Sequence, residues 1–276
     1  MKHSIISERV QGASHKRVDK ICQDNYFRKE IGEDITILAV ADGHGSDASP
    51  FSETGSKIAV DIFGNIMENY VQAYRNQEDQ LLTFLNRESE VKLARSIDET
   101  WKAKVLANHL KNKRPTPKTP SGKKDEKTIY RMYGTTLLGI LITKTFVFAF
   151  QMGDGDMVLV NVVKADFLLE GDHLLGVETH SLSRENAWEK AISVVKRREA
   201  DEVIPFAIMM STDGFSNSYK SEDAYLHACR EYFSMIKEHG LEAVDKNLKQ
   251  WLEETSQHGS GDDITMVIAY FYKEVS

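Results

Sequence analysis

Residues 135–163 read TTLLGILITKTFVFAFQMGDGDMVLVNVV. Three runs crowded with Val, Ile, Leu and Phe (135–142, 145–151 and 157–163) are separated by short turn-like pieces, the pattern of antiparallel strands in a meander. Upstream, Ile35–Ala41 reads as a further strand, nearly continuous in its hydrophobicity and therefore covered on both faces. It is closed by Asp42-Gly43, a turn signal. YFRKE, just after Asp24, has the composition of another strand, and IPFAIMMS (204–211) and ITMVIAYFY (264–272) read as two more. Between them the period changes. Ile58, Ile62, Ile66 and Tyr70 are four apart and predict one face of a helix over 52–74. Helix-favouring sequence continues over 77–110, with Leu81, Leu85, Trp101, Val105 and Leu106 as inward positions. Residues 184–198 and 221–254 also read mostly as helices. The order of strands, helices, strands, helices, strand predicts an α+β fold with antiparallel sheet inside and helices outside, not βαβ winding.

The stretch NKRPTPKTPSGKKDEKT (112–128) holds three prolines and a glycine among charged and small polar residues, which predicts an exposed, flexible loop. A linker between domains would leave the first strand and its helices without an adequate sheet partner, so one domain over 1–276 is expected. With 276 residues, 41% hydrophobic and 28% charged, the chain has the make-up of a globular protein with a sizeable core. Its formal net charge of -7 weighs against nucleic acid as a partner, because phosphate backbones are bound mainly through Lys and Arg. The opening MKHSIISERVQGASHK lacks the apolar stretch of a signal peptide, and no run reaches the length that spans a bilayer. Cys22 and Cys229 form neither a disulfide framework nor a zinc spacing. A cytoplasmic setting away from membranes is expected.

Carboxylates recur at strand ends: Asp24 in CQDN, Asp42 in ADGHG, Asp154 and Asp156 in MGDGD, Asp213 in STDGFSN, and Asp262 and Asp263 in GSGDDIT. One Asp-Gly is an ordinary turn. Several acids gathered at a sheet rim repel one another unless cations neutralise them. Hard divalent ions do this through oxygen ligands, and the backbone at Gly43 can add its carbonyl. A paired metal site of this kind can clamp a phosphoryl group and activate water.

The set CQD (22–24), DGHG (42–45), YGTTLL (133–138), MGDGD (152–156), STDG (211–214) and SGDDIT (260–265) resembles, in order and rough spacing, the metal-dependent serine/threonine protein phosphatases of the PP2C (PPM) family, most closely the compact bacterial members. The resemblance runs through nearly the whole chain. It implies a four-layer αββα sandwich, two antiparallel sheets flanked by helices, with two Mn²⁺ or Mg²⁺ ions at one end. By the same resemblance Asp42 bridges the metals, Asp24, Asp213, Asp262 and the Gly43 carbonyl are further ligands, and Asp154 helps to hold a weaker third ion. His44 matches the general acid toward the leaving oxygen, and an ordinary imidazole pKa near 6.5 suits that task.

The implied partner is a phosphorylated protein from a Ser/Thr kinase pathway. Gln23 stands where many members have Glu, Ser46 replaces a glycine, and GDG replaces a frequent GDS. The family's phosphate-binding arginine, four residues before Gln23, is replaced by Asp19. His15, Lys16, Arg17 or Lys20 would take over, with Arg17 favoured for its bidentate fit to phosphate and Lys20 second. Two alternatives stay open on the sequence: a metal-dependent phosphohydrolase of a nucleotide or other small phosphoester, and a non-catalytic PP2C-like binding module.

Overall fold

The computed structural model describes residues 2–169, 180–198 and 203–273. In chain order its elements begin with β1 (Lys2–Val10), α1 (Ala13–Arg17), β2 (Asn25–Ile31), β3 (Ile35–Ala41), α2 (Ser52–Ala73), α3 (Glu78–Glu88), α4 (Ala94–Lys111) and α5 (Glu126–Arg131). They continue with β4 (Leu137–Ile142), β5 (Phe146–Met152), β6 (Asp156–Asn161), β7 (Ala165–Phe167), β8 (Ile192–Arg197), β9 (Phe206–Ser211), α6 (Asp213–Ser216), α7 (Glu222–His239), α8 (Leu241–His258) and β10 (Ile264–Tyr272). The expected α+β class holds: two five-stranded sheets, antiparallel throughout, each carry their own helices. No helix among the described residues is long and apolar enough to cross a membrane.

The chain forms two compact units. One comprises Asn25–Asp154 and Gly171–Arg197, the other Met1–Asp24, Gly155–Glu170 and Arg198–Ser276. The first contains the sheet β2-β3-β4-β5-β8. Ile37, Ala39 and Ala41 of β3 join the core beneath α2 and α4, while Leu38 and Val40, on the opposite face, are equally buried. That two-sided burial is the reason β3 reads as a continuous apolar run. On α2 the buried stripe is Ala59, Val60, Phe63, Met67 and Val71; Ile62 is buried too, whereas Ile58, Ile66 and Tyr70 are half-buried flanks. The helix is therefore rotated slightly from the face the sequence suggests. Trp101 of α4 is fully buried and donates its indole N–H to the Gly55 carbonyl at 3.0 Å.

The second unit contains the sheet β1-β10-β9-β6-β7, covered by α7 and α8. Ser221 caps α7 through the Ala224 N–H at 3.2 Å, and Gly240, at φ +83°, separates it from α8.

Three expectations need correction. Residues 184–198 are not a helix: a single 3₁₀ turn (Ala187–Lys190) leads into β8. The β-branched Ile192, Val194 and Val195 fit a pleated edge, and β8 completes the ladder on β5 from Phe146↔Arg197 to Gln151↔Ile192. Nor do the three runs of 135–163 form one meander. β4 and β5 pair, but β6 pairs with β9 and β7 in the other sheet. Gly153 and Gly155, at φ +106° and +127°, turn the chain out of the first ladder. The structure also adds β1, unanticipated from SIISERV, which pairs along its whole length with β10.

Gly139 on β4 lies under the Phe63 ring of α2, where a Cβ would overlap the ring. Gly139→Ala is therefore expected to cost about 1–3 kcal/mol by overpacking. The check is a lower urea midpoint with an unchanged slope.

Candidate metal centre and active site

In the first unit β3 delivers its C-terminal end to Asp42-Gly43-His44. Residues 134–136 fix that turn. The Thr135 hydroxyl donates to the Asp42 carbonyl at 2.7 Å and the Thr136 N–H to the same oxygen at 2.9 Å. The Asp42 N–H donates to Thr136 Oγ1 at 3.0 Å, and the His44 N–H to the Gly134 carbonyl at 3.0 Å. Gly43 and Thr135 form an isolated antiparallel bridge. Asp154, in the turn after β5, brings a carboxylate oxygen within 4.8 Å of one from Asp42. A Cβ at Gly134 would overlap His44 Cδ2, so the glycine sets where the imidazole lies. Burial pushes the His44 pKa below its ordinary value; the Asp154 carboxylate pulls it back up and the Arg184 guanidinium adds to the fall.

The second unit carries the other acids. Asp263, buried, accepts from the Gly12 N–H at 2.6 Å and the Gln23 N–H at 2.7 Å, and bonds His15 Nδ1 at 2.9 Å. His15 Nε2 lies 3.8 Å from Asp262 Oδ1, and His15, Asp262 and Asp263 form a cluster able to hold a cation. Asp262 is half exposed and accepts the Asp263 N–H at 2.8 Å. Gly214, at the start of α6, packs so closely on the Asp263 carbonyl that no side chain fits. Asp213, one residue earlier, accepts from Asn217 Nδ2 at 2.9 Å.

Asp24 is 1% exposed. Its Oδ2 accepts from the Thr212 hydroxyl at 2.7 Å, and its buried Oδ1 has no hydrogen-bond partner among the described residues. Burial, then the neighbouring Asp263 charge, push its pKa up to about 8 against the pull of Thr212. A buried carboxylate oxygen left open beside further acids is suited to ligate a cation, and a donor set of carboxylates and carbonyls suits a hard divalent ion.

Of the residues expected from the sequence, Asp42, Gly43, His44 and Asp154 thus fall in one unit, and Asp24, Asp213 and Asp262 in the other. Arg17 is exposed at the end of α1, Lys16 pairs with Glu253 at 3.0 Å, and the Lys20 carbonyl accepts from Gln11 Nε2. Of these four basic residues His15 is the one on the Asp262–Asp263 pair. Sequence reasoning gave no role to Gly134, Thr135, Thr136, Thr212 or the clamping function of Asp263. Their signal was present in YGTTLL and STDG, but a threonine that braces a turn from a distant strand looks like any strand threonine.

The protein phosphatase 2C family model matches residues 11–253. The chain belongs to that family. It is an enzyme, a metal-dependent serine/threonine protein phosphatase with a divalent-cation site. No curated protein matches the sequence. Among solved structures it is similar to the catalytic domain of the serine threonine protein phosphatase PstP in complex with 2 manganese ions, at 14% identity and TM-score 0.57 over 99% of both chains. It is similar to serine/threonine phosphatase Stp1 from Staphylococcus aureus, at 14% identity and TM-score 0.61 over 99% of this chain and 96% of that one. The S. agalactiae serine/threonine phosphatase matches at 16% identity and TM-score 0.58, over 99% of this chain and 100% of the other. At these identities the likeness establishes the fold.

A carboxyl whose folded pKa is raised costs stability as pH climbs from the ordinary carboxylate range toward that raised value. The metal-free protein should therefore lose stability between about pH 4 and about pH 8, the upper limit being the Asp24 value. Asp24→Asn should raise the metal-free Tm at pH 8 and blunt the rise that Mn²⁺ gives the wild type. The stabilisation behind that rise should reach about 2.7 kcal/mol at a hundredfold excess over Kd. Thermal melts with and without Mn²⁺ at the two pH values check both effects. Gly134→Ala should leave the protein folded but lower kcat, because the His44 ring must move.

Proposed function

We propose that the two units act as one phosphatase domain over 1–276 and hydrolyse phosphoserine and phosphothreonine by direct attack of water. The observation that carries the reading is Asp24, a buried acid with one oxygen left open beside Asp263. Asp24, Asp42, the Gly43 carbonyl, Asp213 and Asp262 would hold two Mn²⁺ or Mg²⁺ ions, the number of manganese ions in the PstP catalytic domain, and Asp154 would help to hold a weaker third. When bound, such ions neutralise phosphoryl charge and make water a competent nucleophile near neutral pH.

His44 donates its proton to the leaving serine or threonine oxygen. Its position is fixed by the Gly134 carbonyl and by the absence of a side chain at Gly134. Thr135 and Thr136 hold the Asp42 backbone, and through it the turn, so that acid and ligand keep one geometry through turnover. The phosphoryl group is received by the basic 15–20 segment, with Arg17 and Lys20 supplying charge and His15 standing nearest Asp262. No covalent intermediate on the enzyme is required. The partner is a phosphoprotein of a Ser/Thr kinase pathway, in the cytoplasm.

Metal-dependent release of phosphate from a phosphothreonine peptide tests the reading. Asp42→Asn and Asp213→Asn should each abolish it. His44→Ala should slow the peptide by about 10²–10⁴-fold but p-nitrophenyl phosphate far less, since p-nitrophenolate leaves without a proton. Equal losses on the two substrates would remove His44 from the acid role.

A further inference from the structure

A cleft of about 1150 Å³ opens beside His44 within the first unit. This exceeds the roughly 300–1,000 Å³ of an ordinary small-ligand site and suits a stretch of polymer. One wall is the 112–128 segment and α5, and that wall is tied down. The Arg114 guanidinium lies 3.7 Å from the Phe51 ring centroid and donates to the Tyr133 hydroxyl at 2.5 Å. His109 Nε2 bonds the Pro115 carbonyl at 3.1 Å, the Asp125 N–H donates to the Pro117 carbonyl at 2.9 Å, and Lys118 and Lys124 form a backbone bridge. The C-terminal end of α5 is joined to the turn after His44, since the Ser49 hydroxyl donates to the Arg131 carbonyl at 2.8 Å.

The chain is acidic overall, but this cleft is not. Lys124, Lys127, Arg131 and Arg184 line it with His44. Its acids are occupied: Asp125 caps α5 through Thr128, Glu126 accepts from the Tyr130 hydroxyl at 3.2 Å, and Glu185 pairs with Lys127 at 2.6 Å. Lys124 and Arg131 are exposed and make no ion pair among the described residues.

We propose that this cleft docks an extended segment of the phosphoprotein substrate and selects acidic side chains flanking the phosphorylated residue, with Lys124 and Arg131 as the specificity-determining residues. The proposal rests on the phosphatase reading above, which places the scissile ester at His44. Fixed cations on a braced wall favour a complementary segment with little ordering cost on the enzyme side.

The test compares phosphothreonine peptides that differ only in flanking residues: Asp/Glu, Ser/Ala or Lys/Arg. The wild type is expected to show kcat/KM about tenfold higher for the acidic peptide than for the neutral one, with the advantage shrinking at 0.5 M NaCl. The double substitution Lys124→Glu, Arg131→Glu should bring the ratio to one or reverse it in favour of the basic peptide. Equal kcat/KM for the three peptides, or an acidic preference kept by the double variant, would overturn the proposal.

Fluorescence anisotropy of the same labelled peptides on the Asp42→Asn protein reads docking without turnover. Charge-dependent binding there, with no turnover of any peptide by the wild type, would uphold the cleft and sink the phosphatase reading. Charge-independent binding would sink the cleft alone. Displacement of the acidic peptide by a single-stranded oligonucleotide of the same charge, at equal concentration, would overturn the choice of a peptide.

Discussion

A carboxylate taken out of water must be met by donors or by a cation. Asp24 and Asp263, neighbours in one unit, answer this in opposite ways. Asp263 is met by two backbone N–H groups and an imidazole nitrogen, so its charge is spent on structure: it gathers Gly12, His15 and Gln23 around itself. Asp24 accepts the Thr212 hydroxyl on one oxygen, feels the Thr265 hydroxyl nearby, and has no hydrogen-bond partner on the other oxygen among the described residues. The two acids have similar burial and different numbers of partners, and the number of partners separates the scaffold residue from the proposed ligand. Gly12 and Gly214 follow from the same packing, since both lie against the Asp262–Asp263 backbone, where a side chain has no room.

The other unit solves a different problem. An Asp-Gly pair after a strand makes a turn without help, but local propensity does not say which way its side chains face. Orientation comes from the neighbouring chain. Residues 134–136 put a carbonyl, a hydroxyl and a backbone N–H against Asp42 and His44, and β4, which follows directly, is locked to β3 by its ladder. A buried ladder thus extends its rigidity one turn past its end. The geometry of His44 and Asp42 is inherited from β-pairing, not from the turn itself.

This division explains what was legible in the sequence. Asp24, Asp42, Asp154, Asp213 and Asp262 stood out because each sits at one end of a strand-like run, before it or after it, and α2, α7 and α8 because helical periods are local. β8 did not: ISVVKR is a half-exposed edge whose strand character depends on pairing with β5, and the charged residues before it imitate a helix. The transfer of β6 to the other sheet was equally hidden, because hydrophobic alternation marks a strand without naming its partner. The bracing residues Thr135, Thr136 and Thr212 were invisible as such, their contacts lying between about 50 and about 190 residues away in the chain.

The absence of the family's arginine before Asp24 also has a structural counterpart. The 12–24 segment is organised around Asp263: Gly12, His15 and Gln23 all bond to it, and the one-turn α1 carries His15 inward while Lys16 and Arg17 face out. Asp19, at the position of the arginine, sits in the left-handed region at φ +55° in the exposed turn that returns the chain to Asp24. A long cationic side chain there would start from the outside of that turn. The segment has been built to hold an acid, with an imidazole as its inward-facing basic group. In the other unit, Lys124 and Arg131 line the cleft beside His44 and make no ion pair among the described residues.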